Sequence, residues 1–294
     1  MTKAPAKTPA ARTAPAKTSP ATAAAKPAAA RKPVERGKVV IIGDSHTLAY
    51  AEAYTSEPSA YASPAGGGLG IAKLFPFNTS LRPFYVPEDG GVAFTHEGAR
   101  ETMTALIGRT AILPNDPHIY LLSLGGTTVF LRAPIWKTFR PWRTSLKTTQ
   151  PLSDATMKQV SLDYFKHVID FFAALKAMGV KVAAVEAPQV RRDDPAVEYI
   201  GEAGVLEITR LCRGALFEAL ADLGVPVIRA PKEASEDDSQ ALEQGFLRRE
   251  LWKRDRARDH HHANEAYGRI QLPRMLEQAG VLAKATRPRA RKTT

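Results

Sequence analysis

From Lys38 onward, short β-branched runs alternate with longer stretches of helical spacing. Lys38–Ile42 reads as a buried strand, because Val39 to Ile42 are all apolar and leave no polar face. His46–Tyr54 follows as a helix. Pro58–Gly70, rich in Gly, Pro and Ser, reads as a loop, and Leu81–Val86 as a second strand. Glu97–Ile112 has helical spacing until Pro114-Asn115-Asp116-Pro117 breaks it. His118–Leu124 reads as a strand ending in Gly125-Gly126. Ser153 or Asp154 can cap a long helix on which Val160, Tyr164, Val168, Phe171, Phe172 and Leu175 share one face. Gly179 ends it, and Val180–Val185 is the next strand. Glu198–Leu223 reads as helix, with a bend expected near Gly201 and Gly204. Gly224 then precedes the strand Val225–Arg229, and Asn264–Gly280 is a final helix with Asn264 near its cap.

Strands this short, separated by helices of ten or more residues, indicate parallel β-α-β units. The expected architecture is a three-layer α/β/α domain with about five parallel strands. Ligands of such sheets sit at the carboxyl ends of the strands. Ser45, Gly125-Gly126, the loop after Ala187 and the loop before Asp259 all fall at those ends.

Charge divides the chain further. The formal net charge is +11, but residues 1–38 hold nine cations against one acid, and residues 284–294 hold five cations and no acid. Residues 39–283 are therefore near neutral, at −2. This opposes a nucleic-acid-binding core, since such a domain should itself be basic. The expected organisation is a disordered basic Ala/Pro/Lys-rich tail over residues 1–37, one domain over 38–283, and a basic tail over 284–294. Contact of the tails with nucleic acid or an anionic surface is an expectation from electrostatics alone. Cys212 is the single cysteine, so no intrachain disulfide can form. No run approaches the ~20 apolar residues of a membrane span. The N-terminus lacks the apolar run of a secretory signal, and its spaced prolines oppose an amphipathic transit helix. Cytoplasmic localisation is the default expectation.

Two stretches carry chemistry: Gly43-Asp44-Ser45-His46 after the first strand, and Asp259-His260-His261-His262-Ala263-Asn264 near the C-terminus. A serine hydroxyl is a poor nucleophile until a base takes its proton, and that base needs a partner to fix its tautomer. The two stretches supply the serine, an imidazole and a carboxylate. A zinc site built from the histidine run is disfavoured, because adjacent side chains diverge and no second ligand cluster appears. No cofactor is expected.

The same two stretches, extended through Glu265-Ala266-Tyr267-Gly268, resemble the nucleophile block and the final Asp-x-x-His block of the SGNH/GDSL hydrolase superfamily. The resemblance spans about residues 38–283. It implies a flavodoxin-like sheet and a serine esterase. It makes Ser45 the nucleophile and one amide donor of the oxyanion hole, His262 the base and Asp259 its orienting acid. His262 is the histidine that follows Asp259 by three positions and directly precedes Ala-Asn. For the family's second-block glycine the candidates are Gly98 and Gly91. Gly98 is favoured because it stands just ahead of a helix, and Gly66-Gly67-Gly68 reads better as a flexible loop. The third block departs from the pattern. Where the family reads Gly-x-Asn-Asp, this chain has Gly125-Gly126-Thr127-Thr128. Thr127, or Thr128 in a shifted register, would have to donate in place of the Asn. Losing such a donor costs about 10²–10³ in rate.

Between Arg132 and Lys147, Trp136, Phe139 and Trp142 interleave with Lys137, Arg140 and Arg143. Aromatic faces stack on sugar rings and cations bind carboxylate or phosphate, so Trp136, Arg140 and Trp142 are substrate-binding candidates, against a plain reading as a loop plugged onto the domain. Arg191-Arg192-Asp193-Asp194 reads as a solvated turn. The function expected is hydrolysis of a small-molecule or O-acylated carbohydrate ester. Acyl transfer to a sugar hydroxyl, or a non-catalytic binding module, are the alternatives.

Overall fold

The computed structural model describes residues 36–74, 81–236, 241–247 and 262–285. They belong to one compact unit, Glu35–Thr294. Its first half runs β1 (Val39–Gly43), α1 (Thr47–Ser56), β2 (Leu69–Lys73), β3 (Tyr85–Glu88), β4 (Gly91–Phe94), α2 (Glu97–Ile107), β5 (Ala111–Ile112), β6 (Ile119–Ser123) and α3 (Thr128–Leu131). The second half runs β7 (Phe139–Pro141), β8 (Gln150–Leu152), α4 (Asp154–Ala177), β9 (Lys181–Val185), α5 (Ala196–Ile200), α6 (Glu202–Asp222), β10 (Val227–Ile228), β11 (Ser235–Glu236), β12 (Ala241–Leu242) and α7 (Glu265–Ala285).

Five parallel strands form the central sheet in the order β10-β9-β6-β1-β2. β1 is buried along its whole length because both its faces are covered. Val40 and Ile42 point into a core shared with Met103 of α2, Phe172 of α4 and Ile208 of α6. Val39 and Ile41 point into a second core with Tyr50 of α1 and Tyr267 and Met275 of α7. The side-chain alternation of a strand thus builds three layers. Renumbered by chain order, the sheet reads 2-1-3-4-5, the flavodoxin order, and its direction reverses between β1 and β6. A crevice is expected at that switch point, above the ends of these two strands.

Several expected elements shift. The second parallel strand is Leu69–Lys73, inside and just beyond the expected loop, while Tyr85–Glu88 belongs to a small antiparallel sheet with β4 and β5. Leu69-Gly70-Ile71-Ala72 has little strand propensity of its own, and pairing with β1 holds it extended. The helix at Glu97 stops at Ile107, where Gly108 turns left-handed at φ 76° and its N–H closes on Thr104. The expected bend at Gly201 is a complete break at φ 78°, giving α5 and α6. The run from Arg191 to Asp194 is only partly solvated, since Arg191 and Asp194 are buried while Arg192 is exposed. Arg191 pairs with Asp193 through two bonds of 2.8 Å, and Asp194 accepts the Ala196 N–H at 2.8 Å to start α5. Among the described residues no helix is long and apolar enough to cross a membrane.

Candidate active site

β1 ends at Gly43, and the chain turns through Asp44, Ser45 and His46 into α1. The turn is tied to β6 by the Asp44 N–H, which donates to the Ser123 carbonyl at 3.1 Å. It is closed by the Thr47 and Leu48 amides, each donating at 3.2 Å to the Asp44 and Ser45 carbonyls. Asp44 Oδ1 accepts the His46 N–H at 2.9 Å, which fixes the turn from its side chain. Ser45 is thereby held at the start of a helix, where free N–H groups and the helix dipole favour negative charge.

His262 arrives from the other end of the chain. Ala263 bridges to Leu247, and the Asn264 N–H donates to the Phe246 carbonyl at 3.0 Å. Asn264 Oδ1 accepts the Tyr267 N–H at 3.2 Å, which caps α7 as its position suggested. α7 lies directly on α1, and a Cβ on Gly268 would stand 2.0 Å from the Ala49 carbonyl oxygen. This close approach requires glycine. It brings His262 Nε2 to 2.7 Å from Ser45 Oγ across 217 positions of sequence.

The glycine pair after β6 forms the third wall. Gly125 has φ 123°, and a Cβ there would meet Leu216 at 2.8 Å. A Cβ on Gly126 would stand 3.2 Å from Asp44 Oδ2 and 3.3 Å from His46 Nε2. The Gly126 carbonyl accepts the Tyr164 hydroxyl at 3.4 Å. The buried His46 ring lies 5.6 Å from the His262 ring, centroid to centroid. Burial pushes the Asp44 carboxyl up to about 6, against the pull of the His46 and Gly126 amides and of the His262 and Lys73 charges.

Of the residues expected from sequence, Ser45 and His262 meet. Asp259, His260 and His261 lie outside the described residues. Thr127 is buried one position past Gly126, and its carbonyl accepts the Leu131 N–H at 2.9 Å at the start of α3, where Thr128 follows. Gly98 stands in the first turn of α2, and the His96 ring is what a Cβ on it would meet. Gly91 is a close-approach residue of β4, where a Cβ would stand 2.2 Å from the Ile112 carbonyl oxygen. Gly67 donates to Gly37 at 3.0 Å, at the opposite edge of the sheet.

The aromatic and basic segment reads differently in three dimensions. Trp136 offers no open face, because it is fully buried and its indole N–H donates to the Phe130 carbonyl at 2.6 Å. Arg140 is buried too, and its guanidinium binds the Tyr199 and Ile200 carbonyls that end α5, the Ile200 bond at 2.7 Å. Both are anchors of the segment, not substrate contacts. Trp142 is 53% exposed, bonds Asp154 at 3.0 Å and carries the Arg143 guanidinium over its ring. Asp44, His46 and Gly126 lie in stretches that the sequence marks, but it assigns none of the three a role. The one signal was their place beside the nucleophile and in the glycine pair after β6.

Among the described residues no group of three or more His, Cys, Asp or Glu side chains could hold a metal ion. Fold and site together define a three-layer α/β/α protein with a hydrogen-bonded serine–histidine pair at the switch point of a flavodoxin-order sheet. No family model matches the chain, and no curated protein matches it. Among solved structures it is similar to a GDSL-like lipase from Bacteroides thetaiotaomicron, at 13% identity over 87% of this chain and 92% of the other, with a TM-score of 0.43. It is similar to phospholipase A1 from Streptomyces albidoflavus, at 13% identity over 83% and 99% of the two chains and TM-score 0.43. It is also similar to the acetyl xylan esterase AlAXEase, at 15% identity over 82% and 98% and TM-score 0.41. Likeness this distant carries no argument about activity, which must rest on the geometry of the site.

Proposed function

We propose that this chain is a serine esterase of SGNH type. The observation that carries the reading is the 2.7 Å contact between His262 Nε2 and Ser45 Oγ at the switch point of the sheet. In that reading His262 takes the Ser45 proton as Oγ attacks the ester carbonyl. The tetrahedral oxyanion sits against the Ser45 amide at the start of α1, with Thr127 and Gly98 as the further donors that the family resemblance suggests. Asp259 orients His262. His262 then protonates the leaving alcohol and activates the water that releases the acid. A carbohydrate ester is the substrate class favoured, with the exposed Trp142 ring, one face of which carries Arg143, as the candidate stacking residue.

The test pairs p-nitrophenyl ester hydrolysis with covalent labelling by a fluorophosphonate. Ser45→Ala should abolish labelling, and Ser45→Ala and His262→Ala should each lower kcat at least about 10³-fold. A folded Ser45→Ala protein that keeps the native rate would remove the reading.

A further inference from the structure

Between Asp116 and Asp154 the chain carries no acidic residue, yet it carries Arg132, Lys137, Arg140, Arg143 and Lys147. The segment from Arg132 to Gln150 is clipped into a tongue: the Gln150 N–H donates to the Thr138 carbonyl at 2.8 Å, and β7 pairs in parallel with β8. Its root lies at the carboxyl ends of the sheet strands. α3 begins just past Gly126, the glycine that packs against Asp44 and His46. The Leu131 carbonyl accepts the Tyr199 hydroxyl at 2.8 Å and Arg140 binds the end of α5, so the tongue joins the loop after β6 to the loop after β9. Two of its cations are spent on the domain: Arg140 is buried on carbonyls, and Arg132 lies partly buried 4.0 Å from Asp194. Lys137, Arg143 and Lys147 stay exposed. Three of the five exposed large hydrophobic side chains among the described residues stand on the same tongue, Ile135 at 40%, Trp142 at 53% and Leu146 at 58%.

We propose that this tongue binds an acidic glycan, with a sugar ring stacked on the exposed Trp142 and uronate carboxylates paired with Lys137, Arg143 and Lys147. The ester presented to Ser45 is then carried on a polyanionic sugar chain. That use rests on the esterase reading, whereas the binding itself does not. An exposed aromatic ring and open cations on one surface match a ligand that alternates apolar ring faces with carboxylates. The cations are spaced along the tongue, which suits a repeated charge better than one small anion. Trp142 is held in place, since its indole N–H donates to Asp154 at 3.0 Å and the Arg143 guanidinium lies 5.1 Å from its ring centroid. Asp154 also stands 3.8 Å from Arg143 and takes up part of that charge. Lys137 and Lys147 are the remaining open pair, Lys137 resting 5.9 Å from the centre of the Tyr199 ring. An anionic bilayer suits the surface less well, because the half-exposed Asp154 carboxylate beside Trp142 would be pressed against like charge.

The Trp142 indole N–H is a local reporter, read as the ¹H-¹⁵N cross-peak that Trp142→Phe removes. Adding tetragalacturonate to the full chain should shift this peak to saturation, with a Kd that rises as salt is added. Xylotetraose, a neutral chain of the same length, should need at least about a tenfold higher concentration for the same shift. Lys137→Glu combined with Lys147→Glu should raise the Kd for tetragalacturonate at least about tenfold. The basic ends of the chain can adsorb any polyanion, but adsorption there leaves a cross-peak of the tongue in place. An unmoved Trp142 peak, an equal response to both sugars, or a folded double variant that binds as tightly as the native chain would overturn the proposal. A shift produced by phosphatidylglycerol vesicles and not by tetragalacturonate would overturn it in favour of a membrane surface. The comparison of acidic with neutral sugar uses the native chain, so misfolding of the double variant does not remove the test. Neither sugar carries an ester, so these titrations read the tongue whether or not Ser45 is a nucleophile. Hydrolysis of p-nitrophenyl acetate, which carries no acid, reads the Ser45 chemistry separately.

Discussion

Burial holds the Asp44 carboxyl at about 6 in the native state, whereas an exposed aspartate titrates near 3.9. The folded chain therefore binds this proton more tightly than the unfolded chain does. Its contribution to stability is fully present at low pH and is lost as pH rises through about 6. Asp44→Asn should consequently melt at a higher temperature than the native protein at pH 8, by the equivalent of at most about 3 kcal/mol, with the gap closing as pH falls toward 4. Melting curves across that range check the sign; a side chain kept only for its hydrogen bonds would give the opposite one. Cys212 offers a second check at this scale. It is buried in α6 with its thiol pushed up to about 12, so an aromatic disulfide reagent should leave it unmodified in the native protein and react on unfolding. The identities of Ser45 and His262 were legible because each sits in a short local pattern. The place of Asp44 against Gly126 was not, because an aspartate next to a turn serine reads as a turn former until the loop of the neighbouring strand is seen beside it.

Where α7 crosses α1, Gly268 lets the backbones touch, and any side chain there would run into the Ala49 carbonyl. Gly268→Ala should cost about 1–3 kcal/mol by overpacking, measured in urea, and should lower kcat more than it alters KM, since moving α7 carries His262 away from Ser45. Arg140→Ala should destabilise by a similar amount with KM unchanged, because it strips the buried carbonyls at the end of α5 of their donor. The elements themselves were unevenly legible. α4 could be read in full, since its apolar face repeats and Ser153 caps it, accepting the Thr156 N–H at 3.1 Å. β2 could not, since its residues become a strand only through β1. For the segment around Trp136 the sequence leaves two readings open, a substrate surface and a loop plugged onto the domain, because spacing does not show which side chains will find a buried carbonyl.

Across the whole molecule, charge and chemistry are separated. The near-neutral stretch 39–283 contains the sheet and the site, and the excess positive charge lies in the two ends. Deleting residues 1–35 should leave the melting temperature and the ester rate unchanged while weakening any salt-sensitive adsorption to anionic vesicles; a large loss of rate would assign the tail a part in the site. The alternation of strand and helix by itself determined a parallel three-layer architecture, because a strand apolar on both faces must be covered on both. The family resemblance also singled out Ser45 and His262, because a serine on a strand-to-helix turn and a histidine before a capped helix are local arrangements. Strand order was decided only by tertiary structure. Placing β6 beside β1 opens the switch point above Ser45, lays α7 across α1 so that His262 can reach it, and sets Asp44 against Gly126. Those contacts join residues from separate strands and helices, and their free energy comes from burying two sheet faces at once, which no local pattern encodes.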